Sequence, residues 1–396
     1  MTFYKKLNEV DKYILWCCFF IFFVNGLYSM VFGSILPLLS DAYSLNETMS
    51  GMLLSSHQAG NLIAGFVAGI LPLYYGRKKS ILFLSSFVII GFLLMIGVGT
   101  PWVLLLAFFF TGISRGSISN FNNKTVNDIT DSNPSALNFL HSLFAVGALL
   151  SPFLVILFGQ LFGLNGWRWL LVGIIWLIFI SQVMFFNMPI EADLIQKNQS
   201  SKEKDYSFFK DSLFWNTILI IFFYLCAESA ITGWLVTYFI QSDLLTIQQS
   251  QMISSLLWVG ILIGRLGCVF LGSQLSRGTL ITVISIGSAI FYGLLLASNS
   301  VTMILISVLG LGVSMGGIYP TAMTIAGSSI KKHPMSLGWI LVIGGLGGIT
   351  MPIVTGYLAQ TFTIFWGMAA IILAIFMMLL GVFWYRFVNQ RKEELG

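Results

Sequence analysis

The chain alternates between long apolar runs and short polar breaks. The runs cover about residues 14–39, 49–73, 80–98, 102–126, 136–158 and 167–186, then 213–240, 249–271, 280–297, 301–325, 335–358 and 365–385. Each is close to the ~20 residues that an α-helix needs to cross the hydrocarbon core at ~1.5 Å per residue. The pattern therefore predicts twelve transmembrane helices. Barrel strands would show about ten residues of alternating polarity, and these runs are continuous. The first run exceeds the ~7–15-residue core of a cleaved signal, so it reads as a retained span.

Composition sharpens this picture. Of the 396 residues, 57% are hydrophobic and 9% are charged. An ordinary soluble protein carries roughly 25% charged residues. So few charges could not cover a water-exposed surface of this size, which argues against soluble enzymes, nucleic-acid binders and secreted disulfide scaffolds. Cys17, Cys18, Cys226 and Cys268 all lie inside apolar runs and read as small packing residues.

Charge placement sets the expected orientation. Lys5, Lys6 and Lys12 precede run 1, and Arg77, Lys78 and Lys79 join runs 2 and 3. Lys197, Lys202, Lys204 and Lys210 lie between runs 6 and 7, Arg277 follows run 8, Lys331 and Lys332 follow run 10, and Arg386, Arg391 and Lys392 close the chain. Loops expected on the opposite side hold only Arg168. By the positive-inside rule both termini face the cytoplasm. The polar stretch 187–211 reads as a solvated linker. The expected organisation is an N-terminal half (1–188), a cytoplasmic linker (189–211) and a C-terminal half (212–396).

The halves repeat at a spacing of 200. Gly112, Ser114, Gly116 and Ile118 recur as Gly312, Ser314, Gly316 and Ile318. Pro134, Gly147, Pro152 and Gln160 recur as Pro334, Gly347, Pro352 and Gln360. Six helices per half make the repeats parallel. This layout resembles the major facilitator transporters, which implies a central site at the repeat interface near the bilayer midplane. Gly69, Leu71, Gly76, Arg77 and Lys78 resemble that superfamily's G-x-L-x-D-x-x-G-R-K signature, with Leu73 in place of the Asp. The resemblance implies that Gly69, Gly76, Arg77 and Lys78 act in conformational change. Run 5 carries Gly147, Ser151 and Pro152, unlike the Gly-Pro pattern of drug antiporters.

Run 7 is more specific. Tyr224, Glu228, Gly233 and Trp234 are similar to the Y-x-G-x-E-x-x-x-x-G-W of the fucose–proton symporter branch and its sodium-dependent glucose-transporting relatives. Leu137, Asn138, His141, Phe144, Gly147 and Ala148 resemble that branch in run 5, as do Gly317, Tyr319, Pro320 and Thr321 in run 10. Asn123 matches a branch asparagine, and Ser119 replaces its acidic residue four positions earlier. The resemblance implies a proton-coupled sugar symporter.

Polar groups inside a bilayer are costly and are functional candidates by default. Glu228 is the only acid deep in a run, and Arg115 and Arg265 are the deep cations. Arginine stays charged, so Glu228 is the candidate proton carrier, with an ion pair to Arg265 as the structural alternative. Arg115, Ser119, Asn123 and Asn127 are spaced by four and share one helix face. His57, Gln58 and Asn61 in run 2, with Asn138 and His141 in run 5, extend the polar set. Asn25 stands in run 1 about where Glu228 stands in run 7. Trp234, Trp258, Tyr319 and Trp339 could supply aromatic faces to a sugar, or serve as core and belt residues. Gly344, Gly345, Gly347 and Gly348 ahead of Pro352 suggest a flexible segment in run 11, with close helix packing as the alternative.

The expected function is secondary transport of a small polar solute, a sugar above all, coupled to H⁺ or Na⁺, with no cofactor, metal or nucleic acid and a monomer as the working unit. An efflux antiporter for drugs or hydrophobic metabolites is the competing reading, and a non-transporting receptor or scaffold the third. No phosphate-binding loop is present in the sequence to power primary transport.

Overall fold

The computed structural model of the chain describes residues 4, 7–131, 133–189, 207–272, 274–333 and 335–395. Of the expected linker 189–211, residues 190–206 lie outside the described residues. The first six helical passes are α1 (Glu9–Tyr43), α2 (Glu47–Tyr75), α3 (Arg77–Gly97), α4 (Pro101–Ile129), α5 (Pro134–Phe162) and α6 (Gly166–Asn187). A 3₁₀ turn at Gly163–Asn165 separates α5 from α6. After a second 3₁₀ turn at Ser207–Lys210 come α7 (Ser212–Gln241), α8 (Ile247–Leu271) and α9 (Arg277–Leu296). The tenth pass is made of α10 (Val301–Gly316), α11 (Ile318–Ile325) and α12 (Gly327–Lys332). The eleventh is α13 (Met335–Thr361), and the twelfth is α14 (Ile364–Ala369) with α15 (Ile371–Leu395).

Among the described residues, ten stretches are long and apolar enough to cross a membrane. One of them, Ser135–Asn187, contains both α5 and α6. With the 29-residue α2, the described residues make twelve passes, and the protein is an all-α multi-pass membrane protein. Helix ends carry ordinary signals: Asn8 and Asp211 cap α1 and α7, and Thr246 and Gln249 form a capping box on α8.

Run 10 reads as one span in the sequence, and the structure divides it. Pro320 has no N–H to offer the carbonyl of Gly316 and its ring crowds that turn, so the helix ends at Gly316 and restarts at Ile318. Pro37, Pro72, Pro152 and Pro352 stay inside their helices, as membrane helices tolerate when neighbours satisfy the released groups.

The chain forms two compact units. One holds α1, α3–α6 and α2 from Met52. The other holds α7–α15 together with Asn46–Gly51. In the first, α1 lies along α5, α3 along α4, and α6 covers α3, α5 and α1. In the second, α7 lies along α13 and α15, and α10 packs between α8 and α9.

The repeat is visible within each unit as matched close approaches. A side chain at Gly112 would meet the His57 carbonyl, and at Gly312 the Leu257 carbonyl, each 200 residues on. Gly60 faces the Phe109 carbonyl and Gly260 the Leu309 carbonyl, again in register. Between α1 and α5 the register slips by one, since Gly147 faces the Phe23 carbonyl whereas Gly347 faces that of Phe222. By this packing Asn25 corresponds to Tyr224, and Ser29 to Glu228. The sequence pairing of Asn25 with Glu228 is thereby corrected, because backbone contact between the helices, not position within a run, sets the register. The hydrogen bonds agree. Ser29 Oγ donates to Asn25 Oδ1 at 3.4 Å, and Tyr224 OH donates to Glu228 Oε1 at 2.7 Å.

Candidate functional site

In the first unit the polar groups converge on α4. Arg115 is half-buried and points at α2, where its NH1 lies 3.4 Å from His57 Nε2 and 3.5 Å from Gln58 Oε1. His57 is buried, and its Nδ1 lies 2.9 Å from Thr111 Oγ1. The Thr111 hydroxyl hydrogen goes to the Phe108 carbonyl, so Thr111 accepts from His57 and Nδ1 carries the ring hydrogen. Nε2 is then the acceptor that faces the guanidinium. This makes His57 a support that aims Arg115. From α1, buried Asn25 donates to the Arg115 carbonyl at 3.5 Å.

One and two turns further along α4 come Ser119 and Asn123. Asn123 Nδ2 donates to Ser119 Oγ at 3.4 Å, and its Oδ1 lies 3.0 Å from His141 Nε2 on α5. With Nδ2 acting as donor, Oδ1 accepts, and His141 carries its hydrogen on Nε2. The face of α4 thus runs cation, hydroxyl, amide, with the His141 imidazole of α5 set against the amide. Its groups are half-buried, or exposed at His141, so they keep hydrogen-bonding capacity for a solute. Asn61 is half-buried on α2 with its Oδ1 next to Gly116. Asn138 is exposed on α5, one turn before His141.

The second unit gathers a different chemistry. Glu228 is half-buried on α7. Tyr224, one turn earlier on the same face, donates to its carboxylate, and Thr232 Oγ1 donates to its backbone carbonyl at 2.7 Å. The Tyr319 ring from α11 lies 6.3 Å from the Tyr224 ring. Arg265 of α8 lies in electrostatic range of the Tyr224 hydroxyl. Among the described residues Arg265 and Glu228 form no ion pair within 4.0 Å, so the structural alternative of a direct pair is not realised. Tyr224 belongs to the run 7 motif, but the motif alone does not show that it holds the carboxylate. The signal was its spacing of four from the one deep acid.

Several expected contacts change meaning. Trp234 is wholly buried and spends its N–H on the Pro352 carbonyl at 3.2 Å. It locks α7 to α13 and offers nothing to a solute. Trp339 is 40% exposed and packs on Phe209, ring centres 5.4 Å apart, beside the Ser207–Lys210 turn. That position is far from Glu228 along the helix axis. Trp258 is buried on α8. Gly347 lies in an unbroken α13, where a side chain would strike the Phe222 carbonyl and Cys226 Sγ. It is a packing glycine, because the helix continues through it without a break.

The basic turn between α2 and α3 is built around Gly76, whose φ of 79° suits a residue without Cβ. Arg77 then pairs with Asp128 at the end of α4, NH1 to Oδ2 2.9 Å. The sequence showed only that the usual acid is replaced by Leu73, and the structure supplies Asp128 instead. Arg277, 200 residues on, donates to the Thr324 carbonyl at 3.1 Å. Lys78 lies over the Phe186 ring at 5.8 Å, and Gly69 has open space where a Cβ would be.

Twelve helical passes in two internally repeated units, with polar clusters on spanning helices, define a multi-pass transport protein. The profile described as Major Facilitator Superfamily matches residues 18–330 and 219–395, and the chain belongs to that family. It is 23% identical to the glucose/mannose transporter GlcP of Bacillus subtilis, over 89% of this chain and 91% of that protein. It is 22% identical to a TsgA homolog of Buchnera aphidicola, over 91% and 92% respectively. Among solved structures, the nucleoside transporter NupG matches with a TM-score of 0.76 at 14% identity, covering 96% of this chain and 99% of that one. A bacterial homolog of the human lysosomal transporter Spinster, inward-facing and occupied, matches with a TM-score of 0.74 at 13% identity, over 95% and 97%. GlcP, NupG and Spinster are named as transporters, and this chain, as a member of the same superfamily, is a transporter and not an enzyme.

Proposed function

We propose that the protein is a secondary symporter for a small neutral polyhydroxylated solute, a sugar or close analogue, driven by H⁺ and working by alternating access of halves 1–188 and 212–396 across the cytoplasmic membrane. The observation that carries this reading is the Tyr224–Glu228 pair. It places a carboxylate inside a spanning helix with one oxygen held by a phenol and, among the described residues, no cation bonded to it. Such a group can take a proton without breaking an ion pair. The Arg115–Ser119–Asn123–His141 face supports the sugar reading, because a neutral polyol needs donors and acceptors in series rather than clustered positive charge. The name of the GlcP relative points the same way. Sodium could replace H⁺ at Glu228, and the assay below separates the two.

Proteoliposomes loaded with buffer should accumulate one member of a labelled hexose, pentose and deoxyhexose panel under an inward pH gradient. Accumulation under a Na⁺ gradient alone would assign the coupling ion to Na⁺. Failure of every sugar, together with gradient-dependent extrusion of lipophilic dyes, would replace this reading by efflux.

Orientation is tested separately. In a background lacking Cys17, Cys18, Cys226 and Cys268, Ser201→Cys should react with an impermeant maleimide only from the cytoplasmic side. Thr100→Cys, at the start of α4, should react only from outside. Equal labelling of both from one side would defeat the cytoplasmic placement of linker and termini.

A further inference from the structure

Helix α2 belongs to both units. From Met52 on it lies in the first, while its first turn, with Asn46 ahead of it, lies in the second. That turn is seated on α7 and α13. A side chain at Gly51 would meet the Pro352 carbonyl, and one at Gly356 would meet the Glu47 carbonyl. The Thr48 N–H donates to Gln360 Oε1 at 3.3 Å, and Gln241 Nε2 donates to Glu47 Oε1 at 3.3 Å. Pro352, Gly356 and Gln360 are spaced by four and share one face of α13. Behind them is Trp234, bonded to the Pro352 carbonyl, with Cζ2 2.9 Å from where a Cβ of Gly356 would be.

The repeat shows that a helix in this position does not need such a seat. At α8, 200 residues on, the Thr246 N–H donates to Gln249 Oε1, so the first turn is capped from within its own helix. At the matching position α2 has Met49, and the glutamine comes from α13. Gln160, the repeat partner of Gln360, is exposed. The seam is also lightly fastened. Both amide bonds are at the surface, and neither is an ion pair. Thr237, between Trp234 and Gln241 on one face of α7, and Thr355 of α13 are buried, and their hydroxyls have no hydrogen-bond partner among the described residues. Buried hydroxyls without partners cost free energy, which water returns when a seam opens.

We propose that the first turn of α2 is the latch of the exterior gate, seated by the Gly51–Pro352 and Gly356–Glu47 approaches, fastened by Gln360 and Gln241, and without a counterpart at α8. The proposal rests on the alternating-access reading above. A helix is a stiff rod, so α2 cannot stay fixed in both units while the halves rock. Its first turn must leave α13 each time the exterior opens, and the contacts that seat it set how often that happens.

The test uses the full chain in intact cells, without its four native cysteines and with Thr237→Cys as the reporter, and it needs no solute. The rate of reaction with an impermeant maleimide reads the open fraction. Gly51→Ala should raise that rate about fivefold or more, because its methyl presses only on α13 backbone in the seated state. The unfolding temperature of the purified protein should hardly change, since a released turn carries the methyl freely. Gln360→Ala should raise the rate about twofold, the low end for a hydrogen bond because this one is exposed, and Gln160→Ala should leave it unchanged. Unchanged labelling in Gly51→Ala, with or without a lower unfolding temperature, would make the seam permanent packing and overturn the proposal. Equal effects of Gln160→Ala and Gln360→Ala, or a reporter that reacts only after the cells are opened, would overturn it too. A response to Gly51→Ala in a protein that carries no sugar would keep the latch and remove only the solute reading.

Discussion

Glu228→Gln is expected to abolish pH-driven accumulation while leaving exchange intact. For one-to-one symport, a gradient of one pH unit supports about tenfold accumulation, since one unit is 1.36 kcal/mol. The Gln variant should equilibrate its solute and stop at a ratio near one. The argument is structural. Tyr224 donates to Oε1 at 2.7 Å, and a Gln side chain can present its carbonyl oxygen to the same phenol. Size and the principal hydrogen bond are kept, so folding should survive. What is lost is the ability to bind and release H⁺. Coupling requires that the two conformations differ in their affinity for the ion, and a permanently neutral side chain has no such difference to contribute. Counterflow between equal pools, which needs no net proton movement, should therefore persist. Normal accumulation by the Gln variant would remove Glu228 from the coupling step. Loss of binding together with accumulation would make it a direct ligand of the solute.

Tyr224→Phe provides the companion measurement within the same experiment. It removes the phenol donor but leaves a protonatable acid, so accumulation should persist with an altered pH profile. The pair of variants separates the carboxyl's proton role from the packing of α7 against α11.

Much of the fold was legible because a bilayer imposes a simple code. Spans need length and apolarity, and basic residues mark the loops, so twelve passes and a repeat could be read without coordinates. The break at Gly317 was written in Pro320 but hidden by a hydrophobic run that continues across it. The polar face Arg115–Ser119–Asn123 was also legible, because a spacing of four on a helix is unambiguous. Its partners were not. That Thr111 orients His57, or that Asp128 answers Arg77, depends on which helices are neighbours. Aromatic residues were the least readable. Trp234 and Trp339 have the same side chain, yet one is sealed against the Pro352 carbonyl and the other lies half-open on Phe209. Only packing distinguishes them.

Packing also dictates the second large effect, at Gly112. The glycine lies where α4 crosses α2, and a Cβ built there would enter the space of the His57 carbonyl and lie 2.8 Å from the Asn61 nitrogen. Both contacts are backbone, so no flexible side chain can give way, and the helices must separate. Gly116, one turn on, meets Ala64 and Asn61 in the same seam, which resists that separation. Gly112→Ala should therefore destabilise the protein by about 1–3 kcal/mol, as overpacking does, out of a total of roughly 5–15. Gly312→Ala, 200 residues on against the Leu257 carbonyl, should cost a similar amount. Gly293→Ala is the contrasting case, a helical glycine of α9 with nothing within 4 Å of the new methyl. It should stabilise by up to about 1 kcal/mol through helix propensity. Thermal unfolding in one detergent would rank all three. The transport assay adds a distinction that stability cannot. Moving α2 off α4 shifts His57, which aims Arg115, whereas Gly312 itself meets only the backbone of Leu257, Gly260 and Ile261. Gly112→Ala should thus weaken solute affinity in the fraction that folds, and Gly312→Ala should not. An unfolding temperature for Gly112→Ala equal to that of the unsubstituted protein would show that the α2–α4 seam is looser than its geometry requires.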